Sequence, residues 1–170
     1  MNPSAWWSLP PIPTWETAHP IVVHLPIGVL AGVPLLALWA MVAGANRRTV
    51  GWAVMLMVLV GAAGTVLAAA SGGRAEEIAN VPGDAAKFLD RHQELGDLAR
   101  NSFLGVAGAY AVITILSTIV KDKLRRSVWI VLHAAWLVGF FAAFLVLANA
   151  GHMGGRLVHE FGVRAPIGQK

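Results

Sequence analysis

Long uncharged segments alternate with short charged ones along the chain. Residues 17–46, 49–73, 101–120 and 127–155 contain no Asp, Glu, Lys or Arg. A helix rises about 1.5 Å per residue, so roughly 20 apolar residues cross a hydrocarbon layer about 30 Å thick. Each segment is long enough, and only helices or closed barrels satisfy their backbone in lipid. The pattern therefore predicts an all-α fold, an integral membrane four-helix bundle with spans at about 20–44, 49–71, 101–120 and 127–149. We expect residues 1–170 to form a single transmembrane domain.

A different periodicity precedes the third span. Between residues 84 and 100, apolar side chains recur every three or four positions and charged side chains lie largely between them. This spacing is typical of an amphipathic helix. No Gly–Pro break follows, so we expect the segment 84–100 to continue into the third span as an extension outside the bilayer. His92 lies on its apolar face.

The distribution of basic residues predicts the orientation in the membrane. Six of the 13 Lys and Arg residues lie in the two short loops between spans, namely Arg47, Arg48, Lys121, Lys123, Arg125 and Arg126. Short basic loops are typical of the cytoplasmic side. An even number of spans then places both termini outside. Trp39, Trp52 and Trp129 lie near the inner ends of their spans, which predicts an interfacial tryptophan belt.

Composition excludes several classes of protein. Only 13% of residues are charged, against about 25% in an ordinary soluble domain. The absence of cysteine excludes disulfides, iron–sulfur clusters, thiolate zinc sites and covalent c-type haem. The basic residues form no patch with interleaved aromatics, so we expect no nucleic-acid partner, and the lipid bilayer is the main one. No internal repeat is apparent. Glycines of the second span, including Gly61, Gly64 and Gly72, predict close helix packing.

Histidines are the candidate ligands, because the spans contain no charged residue of the kind that ion-coupled transporters use. Counting upward from the inner loops at 1.5 Å per residue places His24 at about 33 Å, His19 and His152 at about 39–40 Å, and His92 at about 43 Å. These four side chains come from three helices, as a bundle needs to hold a metal ion or a haem. Gly28 and Gly96 leave room for a flat macrocycle or for a neighbouring helix. For His133, deeper in the fourth span, we expect a hydrogen bond to a helix neighbour.

Three hypotheses follow. The first is a cytochrome b-like protein that binds non-covalent haem b near the outer face and transfers electrons between the quinol pool and an exported redox partner. His24 and His92 are its preferred axial ligands, with His19 and His152 as substitutes. On the same side, Arg74, Arg100 and Arg156 can pair with haem propionates or lipid headgroups.

The second hypothesis is a non-haem site for zinc, copper or iron that uses His19, His92 and His152. The third is a structural subunit of a larger membrane complex, as a homo- or hetero-oligomer. All three describe an electron carrier, binding protein or complex subunit rather than a stand-alone enzyme.

The segment His19-Pro-Ile-Val-Val-His24-Leu-Pro-Ile, followed by an apolar helix, resembles a bacterial family of four-helix membrane proteins catalogued as domain of unknown function 2231 (DUF2231). Further marks of the resemblance are Ser71-Gly72-Gly73, His92 with Gly96, and the tail that runs from Gly154 to Val163. At His159 and Phe161 this chain departs from the family, which usually has an aromatic residue and often a histidine there. The resemblance implies a multi-pass protein of the bacterial cytoplasmic (inner) membrane in a redox or haem context, with a c-type cytochrome as one partner.

Overall fold

The computed structural model describes residues 13–120 and 124–163, so the predictions for Lys121 and Lys123 lie outside the described residues. Five α-helices and no strand occur in this part of the chain. They are α1 (His19–Val22), α2 (His24–Val42), α3 (Arg47–Ile78), α4 (Ala86–Val120) and α5 (Arg126–His159). Four segments are long and apolar enough to cross a membrane: α1 with α2, and each of α3, α4 and α5. The prediction of an all-α fold with four helices long and apolar enough to cross a membrane is therefore confirmed.

The first predicted span is divided at Val23, which keeps helical backbone angles. Pro26 follows in the first turn of α2 and has no N–H to donate to the carbonyl of Val22, so the regular bonding pattern is interrupted there. Pro20 lies in the first turn of α1, where a missing donor costs nothing. At the other end, Gly44 has a φ of 56°, a left-handed angle that suits glycine. A short 3₁₀ turn, Gly44–Asn46, then leads into α3.

Three helices are longer than a bilayer requires. α3, α4 and α5 contain 32, 35 and 34 residues, or about 48–52 Å of helix. The extension of α4 is the predicted amphipathic segment, which joins the third span without interruption. The ends of α3 at Ile78 and α5 at His159 differ from the predicted ends at 71 and 149. Ion pairs one turn apart, Arg74–Glu77 at 3.1 Å and Arg156–Glu160 at 2.8 Å, stabilise these additional turns.

The helices form a closed antiparallel ring. α2 packs on α3, α3 on α4 and α4 on α5, and α5 returns to α2, while α1 packs on α3. Short connections between antiparallel neighbours are typical of an up-down bundle. The start of α1, the start of α4 and the ends of α3 and α5 therefore meet at the same end of the bundle. We call this the histidine end, because His19 and His92 lie there.

The core contains large aromatic side chains that join α4 to α5. Phe103, Tyr110, Trp129 and Phe140 are almost completely buried. The indole Nε1 of Trp129 donates to the carbonyl of Ala40 in α2 at 2.8 Å. The prediction that Trp129 belongs to an interfacial belt is therefore wrong, since its ring is only 1% exposed and fills the bundle interior. Its indole N–H finds a partner across the helix pair, which makes burial favourable.

Glycines allow α3 to approach the first span closely. Gly61 lies against Leu30, and a Cβ added at Gly64 would stand 3.1 Å from Pro26. The prediction that these glycines serve close helix packing is confirmed. Gly28 is different, because a Cβ there would meet nothing within 4 Å.

Candidate two-histidine site

His19 opens α1 and projects against the outer part of α3. Its ring is half-buried, and its Nδ1 lies 3.0 Å from the carbonyl oxygen of Ala68 and 3.1 Å from Oγ of Ser71. Gly72 follows one turn after Ala68, and a Cβ added there would stand 3.1 Å from Cε1 of His19. The absence of that Cβ lets the imidazole lie directly on the helix backbone.

His92 is held in the same way by a different helix pair. It lies on α4, and its half-buried ring places Nδ1 2.9 Å from the carbonyl oxygen of Ala150 in α5. Gly154 follows one turn after Ala150, and a Cβ there would stand 3.0 Å from Cε1 of His92. His92 thus lies on the face of α4 that the apolar periodicity predicts.

The two imidazoles are neighbours. Their ring centroids are 6.1 Å apart, and the ring planes are inclined at 79°. The helices that carry them, α1 and α4, are not consecutive in the chain, so only the closed bundle brings the rings together. The pair lies at the histidine end, between the C-terminal parts of α3 and α5.

Hydrogen bonding fixes the tautomer of both rings. A carbonyl oxygen can only accept, so Nδ1 of each histidine must carry the proton and donate it to Ala68 or Ala150. The lone pair is then on Nε2 in both rings. A histidine whose other ring nitrogen donates to a backbone carbonyl is the usual form of a metal ligand in proteins.

The two halves of the site repeat one arrangement. A histidine on the first helix of each hairpin donates to a carbonyl on the second, and the glycine four residues later contacts the ring. The segments that do this are Ala68-Ala69-Ala70-Ser71-Gly72-Gly73-Arg74 and Ala150-Gly151-His152-Met153-Gly154-Gly155-Arg156. Both have the pattern A-x-x-x-G-G-R. The expectation of no internal repeat is therefore wrong, because the structure contains two equivalent half-sites.

The three predicted arginines all form ion pairs on their own helices. Arg74 pairs with Glu77, and Arg100 pairs with Asp97 at 2.8 Å. Arg156 makes hydrogen bonds through Nε and Nη2 to Glu160. These bonds hold the pKa of the Glu160 carboxyl below its ordinary value.

Arg156 also contributes to a cap over the end of α5. Its guanidinium lies 4.3 Å from the centre of the Phe88 ring, and Phe88 packs on Phe161 at 4.7 Å between centroids. The chain turns at Gly162, where φ is 67°, and the N–H of Val163 donates to the carbonyl of Leu157. The segment that follows α5 therefore ties the end of α5 to the start of α4.

The remaining candidate histidines, His24 and His152, and also His159, do not join the pair. His24 is exposed, and its Nδ1 lies 2.6 Å from the carbonyl oxygen of Pro20 one turn earlier. His152 and His159 are exposed as well. Among residues 13–120 and 124–163, no group of three His, Cys, Asp or Glu side chains is arranged to hold a metal ion. The described residues thus bring together His19 and His92 but not the predicted trio of His19, His92 and His152.

His133 belongs to a separate, fully buried polar cluster. Its Nδ1 donates to the carbonyl of Trp129 at 3.0 Å, and its Nε2 accepts from the hydroxyl of Tyr110 at 2.9 Å. The expected hydrogen bond to a helix neighbour is confirmed. Both ring nitrogens are used, which leaves no lone pair for a ligand.

Sequence reasoning missed the residues that support the two rings. Ala68, Ser71 and Ala150 carried no functional prediction, and Gly72 was assigned only to packing. The signal that identifies them is the repeated A-x-x-x-G-G-R pattern. Gly28 and Gly96, expected to make room for a ligand, contact neither histidine, since a Cβ at either position would meet nothing within 4 Å.

Comparisons with protein-family models, curated proteins and solved structures returned no match to this chain. The resemblance to the DUF2231 family therefore stays a prediction. The function has to be argued from the two half-sites.

Proposed function

We propose that this protein is a membrane-bound b-type cytochrome in which His19 and His92 are the axial ligands of one haem. The observation that carries the proposal is the pair of rings, 6.1 Å apart and each with Nδ1 donating to a helix carbonyl. The predicted pairing of His24 with His92 is replaced in this proposal by the substitute ligand His19, because His24 is exposed and bonded to its own helix.

The ring separation fits ligands on opposite sides of one metal ion. With metal–nitrogen bonds of about 2 Å, two imidazoles on opposite sides of an ion place their centroids about 6.3 Å apart. Around a tetrahedral ion the same bonds give about 5.1 Å. The observed 6.1 Å is close to the first value. The ring separation is therefore compatible with two imidazoles that would hold one metal ion between them, as the proposed haem requires.

The chain's own residues bind and orient the cofactor in this proposal. His19 and His92 supply Nε2 lone pairs, and the carbonyls of Ala68 and Ala150 fix the rings. When bound, haem b supplies a centre that accepts and releases one electron. Arg74 and Arg156, one from each half-site, lie two residues after the glycines that contact the rings. When haem is bound, their guanidinium groups would form hydrogen bonds to the haem propionates in place of some of those to Glu77 and Glu160.

Location supports a role between lipid and the outer aqueous phase. Both rings lie at the histidine end, where the apolar spans give way to charged helical turns. A one-electron centre there is within reach of a quinol in the bilayer and of an exported redox protein. We propose electron transfer from the first to the second.

The test is the visible spectrum of the purified protein, expressed with added haem precursor and extracted in detergent. Oxidised and dithionite-reduced spectra of the wild type should show the Soret and α bands of a six-coordinate b-type haem. His19→Ala and His92→Ala should each lose these bands or shift them strongly, because one axial ligand is removed. Reduction by a quinol analogue should match reduction by dithionite.

His24→Ala and His152→Ala are the matched controls, since both side chains are exposed and lie at the same end of the bundle. They should keep the wild-type spectrum. Loss of the bands in His24→Ala with retention in His19→Ala would instead restore the pairing of His24 with His92. A colourless wild type that binds copper, zinc or iron through His19 and His92 would favour a non-haem site, and one that binds neither would favour a structural subunit.

A further inference from the structure

The two half-sites differ at the position directly before the glycine that contacts the histidine ring. Between the carbonyl residue and the glycine, the first half-site has Ser71 where the second has Met153. Ser71 is completely buried. Its Oγ lies 3.1 Å from Nδ1 of His19, whereas the only partner of Nδ1 of His92 within the described residues is the carbonyl of Ala150.

The direction of the bonds around Ser71 follows from its neighbours. The hydroxyl donates to the carbonyl of Ala68 at 3.0 Å. Because that carbonyl also accepts from Nδ1 of His19, the ring nitrogen is a donor, and its proton lies between two oxygens, Ala68 O and Ser71 Oγ. His19 thus donates to two acceptors and His92 to one.

We infer that Ser71 is a positioning residue that makes His19 the more electron-donating of the two imidazoles. Additional acceptors at Nδ1 draw the proton away from the ring and raise the basicity of Nε2. This inference concerns the ligand strength of His19 and depends on the proposed haem function only for its redox consequence. A more basic axial ligand stabilises the oxidised iron, so Ser71 lowers the midpoint potential of the haem.

The test compares Ser71→Ala with Thr65→Ala. Thr65 lies on the same helix and is buried, and its hydroxyl donates to the carbonyl three residues earlier, as that of Ser71 does. The hydrogen bond of Thr65 involves no histidine, so its removal reproduces the local change alone. Histidine side-chain NMR of the ¹⁵N-labelled, haem-free protein reports the Nδ1–H signals directly, and redox titration of the haem-loaded protein reports the potential.

Ser71→Ala should move the Nδ1–H resonance of His19 upfield, leave that of His92 in place and raise the midpoint potential. Thr65→Ala should change none of the three. The reciprocal variant Met153→Ser should move the resonance of His92 downfield, and it tests the inference even where Ser71→Ala does not fold. Three outcomes would each overturn the inference. They are an unchanged His19 resonance in Ser71→Ala, an equal shift of that resonance in Thr65→Ala, and an unchanged His92 resonance in a folded Met153→Ser. If the protein takes up no haem but shows the expected NMR shifts, the proposed cytochrome function is refuted and the role of Ser71 is supported.

Discussion

Replacing the two ring-contacting glycines by alanine tests the site without touching a histidine. A Cβ at Gly72 would stand 3.1 Å from His19, and one at Gly154 would stand 3.0 Å from His92. Carbon atoms in ordinary contact are about 3.5–4.0 Å apart. Each ring must therefore retreat by a few tenths of an ångström, away from the helix whose carbonyl it bonds. The next residues, Gly73 and Gly155, provide matched controls because a Cβ there meets nothing within 4 Å.

The size of the effect follows from three terms. Glycine to alanine inside a helix stabilises by about 0.5–1 kcal/mol, and this gain should appear undiminished in Gly73→Ala and Gly155→Ala. At Gly72 and Gly154, overpacking costs about 1–3 kcal/mol. Weakening the bond from Nδ1 to the carbonyl adds about 0.5–1.5 kcal/mol. The free energy that holds the ring on the helix should therefore differ between test and control variants by about 1.5–4.5 kcal/mol. Haem binding requires the ring in that place, so haem affinity should fall at least tenfold in the test variants, since 1.4 kcal/mol is a factor of ten.

The assay is haem titration of detergent-purified protein, combined with thermal unfolding followed by circular dichroism. Gly72→Ala and Gly154→Ala should bind haem at least tenfold more weakly than Gly73→Ala and Gly155→Ala. Because both imidazoles are needed for six-coordinate haem, the double variant should lose less than the sum of the two single losses. Equal haem affinity in test and control variants would refute the argument that the rings lie on the helix backbone.

Two further predictions concern the interior and the orientation. Tyr110→Phe removes the donor to Nε2 of His133 and leaves a buried acceptor unpaired, so we expect about 1–3 kcal/mol of destabilisation and no change in the haem spectrum; a loss of haem bands would mean that the two clusters are coupled. A reporter that is active only in the cytoplasm should be silent when fused after Lys170, and a strong signal would reverse the predicted orientation with both termini outside.

The fold could be predicted because its signals are local. Charge-free segments and the amphipathic repeat before the third span depend only on nearby residues, and both correspond to helices in the structure. The predicted ends of α3 and α5 were too early, because local composition is also the only signal for where a helix stops. Their last turns are polar, and a polar helical turn has the composition of a loop. Only the ion pairs along the helix surface distinguish the two.

From the sequence, the candidate ligands could be reduced to four histidines, but the pair that meets in the structure could not be identified. Heights of about 39–40 Å for His19 and about 43 Å for His92 already place these two side chains at similar heights along the bundle axis. The direction in which a side chain points from its helix excludes His24 and His152 from the pair. At 100° per residue, a helical position five residues after His19 lies about 140° away, so His24 cannot face the bundle axis when His19 does. By the same geometry, His152 lies about 160° from Gly154 and faces away from His92.

The number of protein ligands limits which cofactor the site can hold. Each histidine uses Nδ1 to anchor its ring and has one lone pair left, so the pair offers two donor atoms. A structural zinc ion needs four protein ligands and a catalytic one needs three. The described residues provide no third His, Cys, Asp or Glu side chain arranged with these two to hold a metal ion. A haem brings four equatorial nitrogens of its own and needs only two axial ligands from the protein. Two half-sites that each contribute one imidazole therefore support the proposed haem over the alternative zinc site.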